Sequence, residues 1–486
     1  LGQLDEIAAV AEWDQAVNMP ERAGPSRAEA LAGLARLRHE LLSRREVGDL
    51  IQAARAETQL GDWERANLTQ MQRWFRRATA VEPGLVEASA RADRRSEQAW
   101  RRYRAENDFA SFAPHLEEVL SLKRQVAQAL ADSLGTTPYD ALLDEFEPGA
   151  HGDDIAAVFD ELRDFLPDFT RDVLDRQLDI QLVQPRGPFP VERQRALGLK
   201  MMQAVGFNLE QGRLDVSHHP FCGGVSSDVR ITTRYDEGDF TSALMGVLHE
   251  SGHGKYEQGL PEGWRHQPIG LARGMVLHES QSLLLEMQVC RGEAFLQFAT
   301  PYIREAFPEA VAEQPDAFSF DNLRRLYHRV QRSLIRVDAD EVTYPAHVIM
   351  RFDLERALID GRLTVRDLPD AWAEQMQALL HLDTRGNDRD GCMQDVHWPS
   401  GAFGYFPLYT LGAMVAAQLF AAARTSIPNI AEQIERGQFA ELDAWLGEHV
   451  WQQASRHSTD EVLERATGSK LDARYFIAHL EERYGA

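Results

Sequence analysis

The chain has 486 residues, of which 44% are hydrophobic and 26% charged, and it carries a formal net charge of −24. Such a length and apolar fraction suffice for a large soluble core. The acidic excess argues against a nucleic-acid or anionic-membrane surface, because phosphate would repel it.

Three widely spaced cysteines, Cys222, Cys290 and Cys392, are an odd set for a disulfide scaffold. They read as free thiols in a reducing, cytoplasmic setting. The chain opens on Leu1 without an initiator Met, and no basic stretch followed by an apolar run marks a leader. The expectation is that its natural start lies upstream. The longest mostly apolar stretch, Leu411 to Ala423, is broken by Gln418 and is too short for a bilayer, so it predicts a buried helix.

Ser26 followed by Glu29 has the spacing of a capping box, and Leu31, Leu34, Leu37, Leu41 and Leu42 continue at helical intervals. From Glu57 to Asp132, Arg and Glu alternate with apolar residues such as Trp74, Trp100, Leu116 and Val119. This pattern predicts several long helices with solvated, charge-balanced faces. Pro148-Gly149 breaks the pattern, and a new helix is expected from Asp153 or Asp154. The break divides an N-terminal helical cover lobe, residues 1–150, from a catalytic body, residues 151–486. With no flexible linker or repeat between them, the two are read as lobes of a single domain.

Texture changes near residue 214. Asp228 to Tyr235 alternates and is rich in β-branched residues after Gly223-Gly224, which marks a strand. Placed just before the next helix, it is expected to be an edge on which an extended peptide could pair. Asp239 can cap that helix, and Gly259 with Pro261 can stop it.

Within the helix lies His249-Glu250-Ser251-Gly252-His253, an H-E-x-x-H pentapeptide. Histidines four apart share a helical face and can both reach one ion at about 2.0–2.1 Å. Glu250 stands beside them, where a carboxylate can take a proton from an activated water without being a ligand. Gly252 and Gly254 each cost a helix about 1 kcal/mol against Ala, which suggests that another backbone or a ligand passes close by. A catalytic zinc takes three protein ligands. Glu279 is assigned as the third because it lies some two dozen residues beyond His253 on the following helix, the arrangement of His₂Glu zinc peptidases. Glu286, on nearly the same face, is its rival and otherwise an ion-pair partner. Zn²⁺ is the expected cofactor, with Co²⁺ or Mn²⁺ as alternatives.

Five further stretches accompany the pentapeptide: His219-Pro220-Phe221, Asp228-Val229-Arg230-Ile231-Thr232, His278-Glu279-Ser280-Gln281, Ile335-Arg336-Val337-Asp338-Ala339-Asp340 and Gly391 to Trp398. On these motifs the chain resembles the carboxypeptidase Taq family of metallocarboxypeptidases over nearly its whole length. The resemblance implies a homodimer and removal of C-terminal residues from peptides with a free carboxylate.

The expected fold is mainly α: an elongated two-lobed helical fold with a deep central cleft and a small β-sheet next to the zinc-binding helix. Holding a free carboxylate calls for Arg, whose fork is bidentate. The candidates are Arg230, Arg336 and Arg351, the last paired with His347 in a helix that Pro345 would start. Tyr405, with Tyr409 as its rival, is the candidate donor to the developing oxyanion. His397, beside Asp395 and Trp398, is expected at the site, and His219 and His278 in its wall or behind the ligands. An oligopeptidase or peptidyl-dipeptidase using the same zinc chemistry is the near alternative. A non-catalytic peptide-binding protein stabilised by a metal is the distant one, and Glu250 speaks against it.

Overall fold

The computed structural model describes residues 1–485; Ala486, the last residue of the expected domain, lies outside them. The chain is mainly helical with one three-stranded sheet, and it divides into two compact units. Among the described residues, no helix is long and apolar enough to cross a membrane.

The first unit comprises Leu1–Gln72, Ile180–Arg329 and Gly412–Phe476. Its sheet contains β1 (Gly212–Val216), β2 (Phe221–Val225) and β3 (Asp228–Thr233), in the order β1-β3-β2. β3 runs parallel to β1 and antiparallel to β2. The strand expected at the edge is therefore the central one. Its Val229, Ile231, Thr232 and Thr233 are buried, as β-branched side chains between two neighbours should be, and the edges belong to β1 and β2. Leu214, Val229 and Ile231 pack with Met202, Phe207 and Val247 into one core cluster. This cluster fixes the sheet against the helices Val191–Ala204 and Phe240–Gln258.

Near the N-terminus, the helix Gly24–Leu42 starts two residues before Ser26 and has no side-chain cap. The expected capping box is thus absent: Pro25 already supplies a helical φ and lacks the N–H that a cap would satisfy.

The second unit comprises Arg73–Asp179, Val330–Leu411 and Ile477–Ala486. Its long helices Pro83–Glu106 and Phe109–Leu134 are joined through Asn107, which is left-handed at φ 54°, and Asp108, which caps the second helix by accepting from Ser111 N. Arg–Glu pairs such as Arg95 with Glu118 and Arg101 with Glu97 lie on solvated faces. The helix after the Pro-Gly break runs Gly152–Gln177. In the helix Tyr344–Ile359, His347, Arg351 and Glu355 follow one another at four-residue spacing, each with 0% exposure. This stripe of ionisable groups inside a core demands partners: Asp395 serves Arg351, and Tyr139, Trp398 and Gly404 serve Glu355, whereas His347 Nε2 has no hydrogen-bond partner among the described residues.

Candidate metal centre

Asp239 caps the helix Phe240–Gln258 by accepting from Thr241 N at 2.8 Å, and Gly259 closes it. The pentapeptide consequently sits mid-helix. His249 and His253 lie one turn apart, with ring centroids 5.1 Å from each other. Glu279 comes from the helix Met275–Leu283, and Glu279 Oε2 is 3.3 Å from His253 Nε2. One ligand atom from each of His249, His253 and Glu279 lies within 4.8 Å of the others.

Two glycines permit this approach. A Cβ on Gly252 would fall 2.6 Å from Ser282 Cα and against the carbonyl of Gln281, so the backbone of the Glu279 helix is what passes close to the pentapeptide. On the other side, a Cβ on Gly412 would lie 2.8 Å from the Cβ and Cγ of Glu279. Gly254 makes room in the same way for the ring of Phe207.

The donor set has partners of its own. His249 Nδ1 faces Glu286 Oε2 at 2.8 Å, while Glu286 Oε1 accepts from Arg291 Nε at 3.1 Å and Nη2 at 2.7 Å. His253 Nδ1 is 2.6 Å from His278 Nδ1, and His278 Nε2 is 2.9 Å from Glu257 Oε1. His219, by contrast, lies in the β1–β2 connection, with its ring against His218.

Glu250 is 7% exposed. Burial pushes its carboxyl up to about 7, with Glu279 and Glu286 adding to the rise and His249 and His278 opposing it. Four carboxylates, Glu250, Glu257, Glu279 and Glu286, thus gather around the histidines, and Arg291 pairs with one of them. This excess of negative charge, together with a His₂Glu donor set, fits a divalent cation.

A second polar cluster occupies the other unit. Asp395 Oδ1 accepts from Arg336 Nε at 3.1 Å and Nη2 at 2.9 Å, and Oδ2 accepts from Arg351 Nε at 2.8 Å. Arg336 Nη1 also donates to the Tyr344 hydroxyl at 2.7 Å, and Arg351 Nη1 to the His347 carbonyl at 2.7 Å. Burial opposes the charge on Asp395, yet Arg351 and Arg336 hold its carboxyl well below the usual range. Burial lowers Arg351 only to about 10, so at neutral pH two guanidiniums share one carboxylate.

His397 Nε2 is 3.3 Å from the Tyr409 hydroxyl, and the His397 ring lies near Tyr405 and over Phe406. Burial lowers His397 to about 4, which leaves it neutral at physiological pH. Thus Arg336, Arg351, Asp395, His397, Tyr405 and Tyr409 come together. Arg230 belongs to the first unit, where it sits on β3, its Nε and Nη2 held by Asp228 at 2.9 and 2.6 Å and its guanidinium 4.4 Å over Trp13.

Sequence reasoning passed over Glu257, Tyr344 and Gly412. Only Glu257 left a usable signal, four residues after His253 on the same helical face.

A central helix bearing two histidines and a buried carboxylate, crossed by a second helix bearing a glutamate, defines the metallopeptidase class. Residues 1–484 match the family described as carboxypeptidase Taq (M32) metallopeptidase. Thermostable carboxypeptidase 1 of Thermus thermophilus is 37% identical over 501 residues, covering 99% of this chain and 96% of its own. Carboxypeptidase 1 of Bacillus subtilis is 32% identical, covering 100% and 96%. Among solved structures, Trypanosoma cruzi metallocarboxypeptidase 1 superposes with a TM-score of 0.97 at 40% identity, covering 100% of this chain and 97% of that one. The chain belongs to the M32 carboxypeptidase Taq family and is a metallocarboxypeptidase acting on peptides.

Proposed function

We propose that the enzyme is a zinc carboxypeptidase that releases single residues from free peptide C-termini with broad side-chain tolerance. His249, His253 and Glu279 hold the ion, and Glu250 acts as general base. The observation that carries this reading is the convergence of those three donors beside a buried, unligated carboxylate. Bound there, the cation supplies Lewis acidity to a water and to the scissile carbonyl.

Glu250 accepts the proton of the attacking water on a carboxylate oxygen and delivers it to the departing amine nitrogen. Tyr405, or its rival Tyr409, donates to the developing oxyanion. Neutral His397 orients the tyrosine pair through its contact with Tyr409.

Arg336 is the principal holder of the substrate carboxylate. Supporting this, Arg336 and Arg351 together outnumber Asp395 by one positive charge in a buried setting, which favours an added anion. Arg351, with 0% exposure, keeps Asp395 in place, and Arg230 is a secondary contact along the sheet. We place the protein in the cytoplasm, consistent with its free cysteines, as a homodimer with one catalytic domain in each subunit.

The test compares one peptide with a free and with an amidated C-terminus, read by mass spectrometry. Release of single residues from the free form alone is expected. Equal cleavage of both would favour an oligopeptidase, and release of dipeptides would favour a peptidyl-dipeptidase. Glu250→Gln is expected to keep its metal and lose turnover by about 10²-fold or more.

A further inference from the structure

We propose that His278 and Glu257 are positioning residues that fix the tautomer of His253, so that Nε2 is the nitrogen offered to the cation. This rests on the metal reading above and adds residues outside the ligand set.

The argument follows from counting protons. His253 Nε2 is the nitrogen turned towards Glu279, at 3.3 Å, and a ligand nitrogen must present a lone pair. The proton of a neutral His253 then resides on Nδ1. That atom lies 2.6 Å from His278 Nδ1, and two neutral imidazoles can meet nitrogen to nitrogen at this distance only if one donates and the other accepts. His253 Nδ1–H is the donor, so His278 Nδ1 is the acceptor. The proton of His278 is left on Nε2, which faces Glu257 Oε1 at 2.9 Å. An ionised carboxylate only accepts, so every proton in the chain Glu257–His278–His253 has one acceptor and no two donors collide. Ring centroids 4.7 Å apart show the imidazoles meeting through these edges.

The placement is built into the sequence spacing. Glu257 lies one turn beyond His253 on the same helix, and His278 directly precedes Glu279 on the next. The two helices are braced twice: once by the ligands converging on the cation, and once behind them by His278 and Glu257. The two ligand histidines are buttressed unequally. His249 donates directly to a carboxylate that is itself paired with Arg291, whereas His253 reaches its carboxylate through a second ring. A fixed partner on the far nitrogen commonly accounts for a 10- to 100-fold difference in metal affinity.

The experiment measures Zn²⁺ affinity of the metal-stripped full chain by chelator competition, with thermal melting to confirm folding. His278→Phe fills the space without an acceptor and is expected to weaken binding about 10- to 100-fold. His278→Asn places a carbonyl where Nδ1 stood and is expected to stay within about threefold of the wild type. At the half-buried Glu257, Glu257→Gln still accepts from Nε2–H and is expected to bind normally. Glu257→Leu removes the acceptor and is expected to weaken binding several-fold even where a His278 variant misfolds.

Wild-type affinity in His278→Phe or Glu257→Leu would overturn the proposal, as would equal losses in His278→Asn and His278→Phe. His249→Ala separates the two layers. If it abolishes binding while His278→Phe does not, only the relay is wrong. If it too binds normally, the metal site itself is misassigned and the relay falls with it.

Discussion

His249 Nδ1 lies 2.8 Å from Glu286 Oε2, so a glutamate seven residues beyond the candidate ligand Glu279 faces the back of a histidine ligand. The Arg291 ion pair holds Glu286 in place and, against the pull of burial, its carboxyl is down at about 2. Glu286→Leu should therefore weaken Zn²⁺ binding about 10- to 100-fold, and Glu286→Gln, which keeps an acceptor, should weaken it less. Chelator competition decides; wild-type affinity in the leucine variant would remove Glu286 from any supporting role.

Arg336→Met tests the carboxylate assignment. Loss of a buried charge partner should lower kcat/KM for free peptides by about 2–5 kcal/mol. Turnover of amidated peptides is low already and should hardly change. The ratio of the two rates, taken on one sample, is insensitive to how much of the variant is folded. An unchanged ratio would pass the role to Arg230.

Glu355 should make stability fall as pH rises. It is fully buried, and its carboxylate accepts from the Tyr139 hydroxyl at 2.8 Å, Trp398 Nε1 at 2.8 Å and Gly404 N at 2.7 Å. Burial still outweighs these donors and lifts the carboxyl to about 7 from 4.5. A folded value above the unfolded one means that the stabilisation is complete below pH 4.5 and lost as pH climbs through about 7, because the folded chain retains a proton that the unfolded chain has released. Over that window the loss is about 3 kcal/mol. Glu355→Gln should remove this slope. Urea unfolding of both proteins across the window measures it, and a constant difference between them would contradict the assignment.

Gly252→Ala should destabilise the fold by about 1–3 kcal/mol through overpacking against Ser282 and Gln281, and should weaken metal binding by displacing the Glu279 helix. Gly246, on the same helix, has nothing within 4 Å of an added Cβ. Gly246→Ala should be neutral or stabilising by up to about 1 kcal/mol. Equal melting temperatures for the two variants would show that the close approach carries no weight.

Much of this was readable in advance because it is local. The cap at Asp239, the stop at Gly259, the shared face of His249 and His253 and the helix started by Pro345 all follow from intervals of one to four residues. Even the cost of Gly252 announced a neighbour, although not its identity. What the sequence hid depends on which elements meet. Whether the strand around Arg230 is central or at an edge depends on β1, which is not its neighbour in the chain. That Arg230 turns back to Asp228 and Trp13 depends on a helix more than 200 residues upstream. Ser26 shows the local rule failing as well: its capping spacing was correct, but Pro25 had already begun the helix.

Between Leu284 and Cys290 the helix that follows Glu279 widens to a π-helix, with Arg291 N–H reaching back five residues to the Glu286 carbonyl. A wide turn of this kind holds a residue more than the α-helical repeat allows, and it turns everything after it by roughly a quarter of a revolution. Deleting one residue between Glu286 and Arg291 would swing the guanidinium away from the carboxylate it holds while leaving the pentapeptide and Glu279 untouched, so in this chain the length of the segment counts for as much as its letters.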